Sequence, residues 1–175
     1  MAFKEALEKV LQLEGGLRLY RNPTEQAETY AGIYRKAHPN WVGWNYVDRG
    51  QNPPFELIEK FYYENFYRPF EVIENETIQN LLFEFSVNAS VKTAVKLLQK
   101  LVGAKPDGII GKETLSKLKE YLQNYTEQDF IKDFTIARIA FYSSLVNKNP
   151  RKYGIYLRGW INRTLEALSW AYSLS

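Results

Sequence analysis

A glutamate at the end of the first predicted helix is the residue best placed for chemistry. Apolar side chains recur at helical spacing in residues 3–14, and Glu14 extends their stripe four residues after Val10. A carboxyl group on an apolar face loses water contacts and holds its proton more firmly, which is the property of a general acid. Gly15 and Gly16 follow and predict the end of the helix. The alternative, from spacing alone, is a partly exposed carboxylate before an ordinary glycine cap.

Scarce residue types exclude several other chemistries. The chain of 175 residues has no Cys and a single histidine, His38, in a turn-like segment. We therefore expect neither a zinc site nor thiol or serine–histidine catalysis. Segment 111–114 reads Gly-Lys-Glu-Thr but lacks the spacing of a phosphate-binding loop. The sequence predicts no metal and no cofactor.

Charge and hydropathy limit the partners. The net charge is only +3, and Lys and Arg are scattered along the chain, which argues against nucleic-acid binding. No apolar run reaches membrane-spanning length, so we expect no stable membrane insertion. The first ten residues are amphipathic and too charged for a secretory signal. To reach a substrate outside the cytoplasm, the protein would then need release through a holin or a dedicated export route.

Helical periodicity predicts the elements that position Glu14, and it makes the fold class mainly α. The predicted helices are 3–14, 52–67, 76–87, 90–102, 112–123, 127–146 and 155–172. Residues 15–50 resist a helical interpretation because they combine Gly and Pro with short β-friendly segments. We expect a small irregular or β lobe there, and its length is typical of functional loops.

Three blocks in order resemble glycoside hydrolase family 108. They are LEGGL, ETYAGIY and the segment from LLFEFSVNAS to GKETLSKL. Members of this family are bacterial and phage N-acetylmuramidases with a lysozyme-like helical fold. The resemblance implies that Glu14 is the catalytic glutamate of an EGG motif. It also matches Thr29, Gly32 and Ile33 to a Thr-x-x-Gly-Ile signature.

The third block resembles the peptidoglycan-binding region that accompanies this family. The matching positions are Val87, Asn88, Leu98, Gln99, Asp107, Gly108, Gly111 and Thr114. The closing segment 158–163, RGWINR, also resembles the family's end. The resemblance implies a lysozyme-like catalytic region at 1–68 and a helical peptidoglycan-binding-type region at 69–175, packed as one globular unit. From the residues alone, Asp107 and Gly108 predict a tight turn before the next helix.

The second catalytic carboxylate is the point at which this chain departs from the family. Segment 21–29, RNPTEQAET, lacks the aspartates and glycines of the family's Asn-Asp-Pro and Asp-Pro-Gly-Gly run. Glu25 is the nearest substitute, and Glu28 is a further candidate; both also suit solvated loop charge. Thr29 lies fifteen residues after Glu14. In this it resembles the cleft threonine that phage lysozyme-type muramidases carry at the same spacing, and it would suit a water-positioning role.

Aromatic side chains of the predicted lobe are candidates for sugar stacking. Trp41 and Trp44 lie in the segment NWVGWNY, and Tyr30 follows Thr29. C–H groups of sugars pack well on aromatic faces, but a small core for the lobe is at least as good an interpretation. We take Tyr30, Trp41, Trp44 and Asn88 as candidate substrate-binding residues.

The resemblance predicts a monomeric peptidoglycan hydrolase of the lysozyme type. It would cleave between N-acetylmuramic acid and N-acetylglucosamine in glycan strands of the cell wall, as an endolysin does. Three alternatives remain open at this point. They are a non-catalytic peptidoglycan-binding module, a phage or effector interaction protein, and a lytic transglycosylase.

Overall fold

The computed structural model describes residues 2–175, which divide into two compact units. The first unit ends at Arg68, and the second runs Pro69–Ser175. Helices dominate both units, and one small antiparallel sheet lies in the first. The predicted fold class, mainly α with a small β lobe within residues 15–50, is confirmed. Within residues 2–175 every helix is too short or too polar to span a lipid bilayer.

In the first unit, three short strands follow the first helix in sequence and precede the others. Helix α1 (Ala2–Leu13) precedes β1 (Leu19–Tyr20), β2 (Thr29–Tyr30) and β3 (Ile33–Tyr34). Helices α2 (Trp44–Val47) and α3 (Phe55–Tyr62) follow. The strands pair antiparallel in the order β1-β2-β3, with Tyr20 opposite Thr29 and Tyr30 opposite Ile33.

The turn between β2 and β3 has two residues, both with positive φ. Ala31 has φ 51° and Gly32 has φ 82°. A two-residue hairpin with this geometry matches the twist of the strands that it joins. Ala31 is fully buried although an alanine seldom adopts this conformation, so the surrounding packing holds the hairpin in place.

Helix α3 is shorter than the predicted span 52–67. It begins at Phe55, because Pro53 and Pro54 lack amide hydrogens and favour extended backbone before them. After Tyr62 the backbone continues as a π-helix over Tyr63–Tyr67 and a 3-10 turn over Arg68–Phe70. Periodicity alone gives no signal for a π-helix, which is often found at functional sites.

The second unit is built from five long helices close to their predicted bounds and one four-residue helix in the segment between the predicted helices 127–146 and 155–172. They are α4 (Glu76–Ala89), α5 (Val91–Val102), α6 (Lys112–Asn124), α7 (Glu127–Lys148), α8 (Pro150–Tyr153) and α9 (Leu157–Leu174), with a 3-10 turn at Gly154–Tyr156. Thr126 and Asp129 form the predicted capping box at the start of α7. Asn75 caps α4 by accepting a hydrogen bond from the Ile78 amide at 2.9 Å.

A buried ion triad joins three of these helices. Glu84 on α4 is fully buried and pairs with Arg138 on α7 and Arg163 on α9. The Arg163 Nε atom lies 2.8 Å from Glu84 Oε1, and Arg138 donates to both carboxylate oxygens. Burial alone would raise the pKa of Glu84, but the two guanidinium groups hold it below its ordinary value. The Glu84 carboxylate therefore stays charged in the core.

A single glutamine explains most of the Asp-Gly-x-x-Gly-x-x-Thr pattern. Gln99 is fully buried on α5, and its side-chain amide donates to Asp107, the Ile109 carbonyl and Thr114 at 2.9 to 3.0 Å. Its oxygen accepts from the Gly108 amide at 2.9 Å. Gly108 has φ 84°, as the tight turn requires. These residues hold the loop before α6 against α5, so the motif has a structural role.

Candidate active site

Glu14 is the first residue after α1, where two glycines reverse the chain. The Gly16 amide donates to the Leu11 carbonyl at 2.8 Å and the Gly15 amide to the Gln12 carbonyl at 3.3 Å. Both glycines have positive φ, so this is a Schellman cap. Glu14 itself still donates its amide to the Val10 carbonyl at 2.9 Å. Its side chain is half-buried beside the apolar stripe of α1.

The hairpin turn of the sheet packs directly on the Glu14 side chain. A Cβ atom built on Gly32 would lie 2.8 Å from Glu14 Cβ and 2.9 Å from Glu14 Cγ. Only a glycine leaves room for this approach. The fold thus brings the EGG motif and the Thr-x-x-Gly-Ile signature together, although they are separate in sequence.

Tyr62 is a third component of this contact, and sequence reasoning missed it. The same Cβ on Gly32 would lie 2.5 Å from the Tyr62 hydroxyl oxygen. That hydroxyl donates to the Ala31 carbonyl at 2.7 Å, and the side chain is 1% exposed. Tyr62 therefore ties α3 to the turn that packs on Glu14. In the sequence, Tyr62 is one of several aromatic residues in segment 52–67, and nothing in their spacing indicates this contact.

Tyr20 lies within the electrostatic field of both Glu14 and Glu25. Its hydroxyl donates to the backbone carbonyl of Glu14 at 3.4 Å. Burial raises the pKa of Tyr20, the negative charges of Glu14 and Glu25 raise it further, and Arg18 opposes them. The Arg18 guanidinium lies over the ring, 4.6 Å from its centre. Tyr20 therefore keeps its hydroxyl proton, which it donates to the Glu14 carbonyl.

Glu25 is hydrogen-bonded within its own loop through one of its two carboxylate oxygens. Its Oε1 accepts from the Asn22 amide group at 2.9 Å, and its backbone amide donates to the Asn22 carbonyl at 3.0 Å. Arg21 braces the loop by donating to the Gln26 carbonyl at 2.9 Å. Oε2 of Glu25 is buried and has no hydrogen-bond partner among residues 2–175. A buried oxygen of this kind needs a donor from water or a ligand.

Glu28 is engaged in an ion pair and does not resemble a catalytic group. It accepts from Arg35 Nη1 at 2.9 Å, and the same guanidinium binds Asp48 in a bidentate pair at 2.7 and 2.8 Å. The hydrogen bonds from Arg35 lower the pKa of Asp48. Arg35 also lies over the Trp44 ring, 5.0 Å from its centre. These contacts connect the sheet to α2.

Thr29 and Tyr30 occupy the central strand of the sheet. Thr29 is 4% exposed and lies opposite Tyr20 on β1, so it is next to the residue that feels both candidate carboxylates. Tyr30 is 5% exposed and stacks on Trp41 with ring centres 6.4 Å apart. Tyr30 therefore supports the Trp41 ring from behind.

Trp44 is a core residue, and its burial favours the small-core interpretation over contact with substrate. Its side chain is 2% exposed, and its indole N–H donates to the His38 carbonyl at 2.8 Å. No face of the ring is available to a sugar. Trp41 remains half-exposed, and its edge contacts both Trp44 and Phe61. The small-core interpretation thus holds for Trp44.

A groove of about 450 Å³ runs along the exposed side of Trp41. It lies between the loop 37–42 and the outer side of α3 with the π-helix. Its lining combines the rings of Trp41 and Phe61 with polar groups of Asn40 and Asn65. His38 also lines it, half-buried with its ring edge-on to Phe61, and burial lowers the pKa of His38.

Asn88 lies in the second unit, near the end of α4. Its side-chain oxygen accepts a hydrogen bond from the Tyr142 hydroxyl. Tyr142 in turn stacks on Trp160 of the RGWINR segment, with ring centres 4.9 Å apart. Within residues 2–175 no three His, Cys, Asp or Glu side chains converge as metal ligands.

Two family models match the chain in sequence. Glycosyl hydrolase 108 matches residues 7–89, and the Predicted Peptidoglycan domain matches residues 93–165. The first part of the chain is thus similar to glycosyl hydrolase 108, and the second part to the Predicted Peptidoglycan domain. The resemblance drawn from the motif blocks is confirmed. The two matches support a glycoside hydrolase that acts on peptidoglycan. The glycosyl hydrolase 108 match continues past Arg68 and includes α4 with Asn88.

The fold is shared with a solved structure over nearly all of both chains. A structure of Brucella abortus SagA superposes with a TM-score of 0.72 and 22% sequence identity, covering 98% of this chain and 94% of that one. The predicted lysozyme-like helical fold is confirmed. Comparison with curated proteins gives no match.

The contact of Gly32 with Glu14 gives a testable prediction. Gly32→Ala should lower the rate of sacculus cleavage by about a hundredfold, because the new methyl group must displace Glu14 or Tyr62 and misplace the carboxyl group. The measurement is the initial loss of turbidity of purified sacculi.

Gly16→Ala is the matched control for this substitution. Gly16 has nearly the same positive φ, 83°, but a Cβ there meets nothing within 4 Å. It should therefore cost about 1 kcal/mol of stability through backbone strain alone and leave cleavage nearly unchanged. Equal loss of activity in both variants would show that strain, and not the contact with Glu14, is responsible.

Proposed function

We propose that this chain is an N-acetylmuramidase, which hydrolyses the bond from N-acetylmuramic acid to N-acetylglucosamine with Glu14 as the general acid. The observation that carries the proposal is the packing of Gly32 on the Glu14 side chain. It joins the two motifs of the glycosyl hydrolase 108 match around a single carboxyl group.

The surroundings of Glu14 suit a proton donor. The carboxyl group is half-buried beside the apolar stripe of α1, and the Gly32 backbone covers its aliphatic part. Cleavage of a glycosidic bond requires protonation of the leaving oxygen as the sugar approaches an oxocarbenium-like transition state. A side chain held in one geometry makes this transfer faster than a mobile one.

Glu25 is proposed as the second carboxylate. Its Oε2 atom is buried and has no hydrogen-bond partner within residues 2–175. The negative charges of Glu14 and Glu25 both raise the pKa of Tyr20. The carboxylate would stabilise positive charge on the sugar or accept a proton from water. Thr29, opposite Tyr20 on the sheet, would orient the attacking water. Glu28 is left out because its carboxylate is held in an ion pair with Arg35.

Trp41 is proposed as the aromatic platform for the glycan. Its ring is half-exposed, Tyr30 supports it, and the groove beside it carries amide groups suited to hydroxyl and acetamido groups. Asn88 is proposed as a further contact, through the amide nitrogen that remains beside its bond to Tyr142. The enzyme would act as a monomer on glycan strands of the cell wall.

Product analysis of digested sacculi tests the proposal. We expect muropeptides whose new reducing ends are N-acetylmuramic acid, identified by mass spectrometry after borohydride reduction. Anhydro ends would identify a transglycosylase instead, and reducing N-acetylglucosamine would identify cleavage of the other bond. Either result would overturn the proposed reaction.

Glu25→Gln tests the second carboxylate in the same assay. We expect at least a tenfold lower cleavage rate, because the variant keeps the hydrogen bond with Asn22 but loses the negative charge. Glu28→Gln serves as the comparison, since Arg35 retains its pair with Asp48. A larger loss in Glu28→Gln than in Glu25→Gln would reverse the assignment.

A further inference from the structure

One corner of the second unit carries positive charge without any acidic residue in the same stretch of sequence. Between Asp133 and Glu166 the sequence contains no Asp or Glu. Four cations in this stretch are exposed around the connection from α7 to α9, namely Lys148, Arg151, Lys152 and Arg158. The other Lys-rich stretch, residues 92–119, has seven Lys but also contains Asp107 and Glu113. Residues 134–165 are thus the basic stretch that has no acidic residue of its own.

These four cations are not neutralised by the fold. None of them forms an ion pair with any described residue. By contrast, Arg138 and Arg163 in the same stretch are engaged with the buried Glu84. The two groups of cations have different roles. The exposed group, which we call the α7–α9 corner (residues 148–158), has no acidic partner within residues 2–175, and Lys152 lies over the neighbouring Tyr153 ring, 5.0 Å from its centre.

The α7–α9 corner also exposes apolar side chains between its cations. Ile155 is 74% exposed and Tyr156 is 43% exposed. Ile155 is the most exposed of the large hydrophobic side chains among the described residues. A single exposed apolar residue is unremarkable, but here two adjacent ones are flanked by charges of one sign on both sides.

The corner is held firmly rather than left as a loose loop. Asn149 accepts a hydrogen bond from the Lys152 amide at 3.2 Å, and Pro150 occupies the first position of α8. Tyr156 stacks on Trp160 with ring centres 5.7 Å apart, and Trp160 stacks on the buried Tyr142. Ile155 therefore projects from a fixed turn.

We propose that the α7–α9 corner binds the surface of an anionic phospholipid bilayer. Ile155 and Tyr156 would enter the headgroup region while the four cations contact lipid phosphates. Aromatic and apolar residues bordered by Lys and Arg are typical of interfacial membrane binding. A soluble polyanion would use the cations alone, and the exposed Ile155 would gain nothing. This contact is interfacial and requires no spanning helix.

Vesicle flotation tests the proposal with the full chain. The native protein should bind vesicles of phosphatidylcholine mixed with phosphatidylglycerol and should not bind phosphatidylcholine alone. Arg151→Gln combined with Lys152→Gln should weaken binding about 25-fold, since each cation near an anionic surface contributes about fivefold. Ile155→Ser should weaken it about tenfold through lost apolar contact.

Ile109→Ser is the matched control, because Ile109 is 71% exposed but lies on the loop before α6. It should bind vesicles as the native chain does. Equal binding to uncharged vesicles, or unchanged binding by Ile155→Ser, would overturn the proposal. Binding of soluble polyphosphate that depends on the cations but not on Ile155 would assign the corner to a polyanion instead. Unchanged sacculus cleavage by these variants would separate this result from the proposed reaction.

Discussion

Glu14→Gln should lower the rate of sacculus cleavage by at least about a hundredfold, since general acid catalysis contributes 10²- to 10⁴-fold. Glutamine keeps the shape of the side chain and its packing against Gly32 but has no proton to donate. The measurement is release of soluble muropeptides from sacculi by the native chain and the variant. Glu8→Gln, an exposed position on the same helix, should leave the rate unchanged.

Binding and folding measurements make this result specific. The Glu14→Gln variant should unfold at nearly the same urea concentration as the native chain and should still sediment with insoluble peptidoglycan. Full activity in the variant would remove Glu14 from the mechanism. Absence of both lysis and sedimentation in the native chain would favour an interaction protein over an enzyme.

Glu84→Gln should lower the free energy of unfolding by about 3 to 5 kcal/mol, the usual effect of removing one partner from a buried ion pair. Arg138 is 1% exposed and Arg163 is 12% exposed on its side chain, so both guanidinium groups would lose their buried carboxylate. The measurement is urea unfolding followed by circular dichroism. Glu120→Gln is the control, because its pair with Lys117 is solvent-exposed and should contribute less than about 1 kcal/mol.

The same triad predicts a pH dependence. Burial opposes the charge on Glu84, but Arg138 and Arg163 outweigh it, so the folded-state pKa lies below the unfolded value. The stabilisation is therefore fully present above the unfolded pKa of an ordinary glutamate and is lost as pH falls through the lowered folded pKa. Glu84→Gln should flatten the acid side of the stability curve. A variant with the same acid dependence as the native chain would show that other carboxylates control it.

The sequence supported the helices well because their apolar stripes and caps are local signals. The Thr126 and Asp129 capping box and the Gly15–Gly16 termination follow from residues adjacent in the chain. The contact of Gly32 with Glu14 and Tyr62 does not, since it requires the sheet to fold back on α1. Family resemblance placed Glu14 and Gly32 in one motif set, but only the three-dimensional arrangement adds Tyr62.

Long-range pairs of charged and aromatic side chains were beyond sequence reasoning. Glu84 lies on α4 among apolar residues, yet its partners follow 54 and 79 positions later in the chain. Trp41 and Trp44 looked equivalent as aromatic residues of one segment. The fold separates them, because Trp44 is enclosed by its contacts with Arg35 and the His38 carbonyl.

The Gln99 network has a consequence for how this kind of chain is recognised. Both polar atoms of the Gln99 side chain form hydrogen bonds with the loop before α6 or with the start of that helix. Asp107 and Thr114 accept from its nitrogen, and the Gly108 amide donates to its oxygen. The hydrogen bonds of Gln99 therefore explain most of the Leu-Gln and Asp-Gly-x-x-Gly-x-x-Thr pattern through folding, without a ligand. A descendant of this chain could keep the pattern intact after losing all affinity for the wall. Affinity must be read from other side chains, those that face solvent.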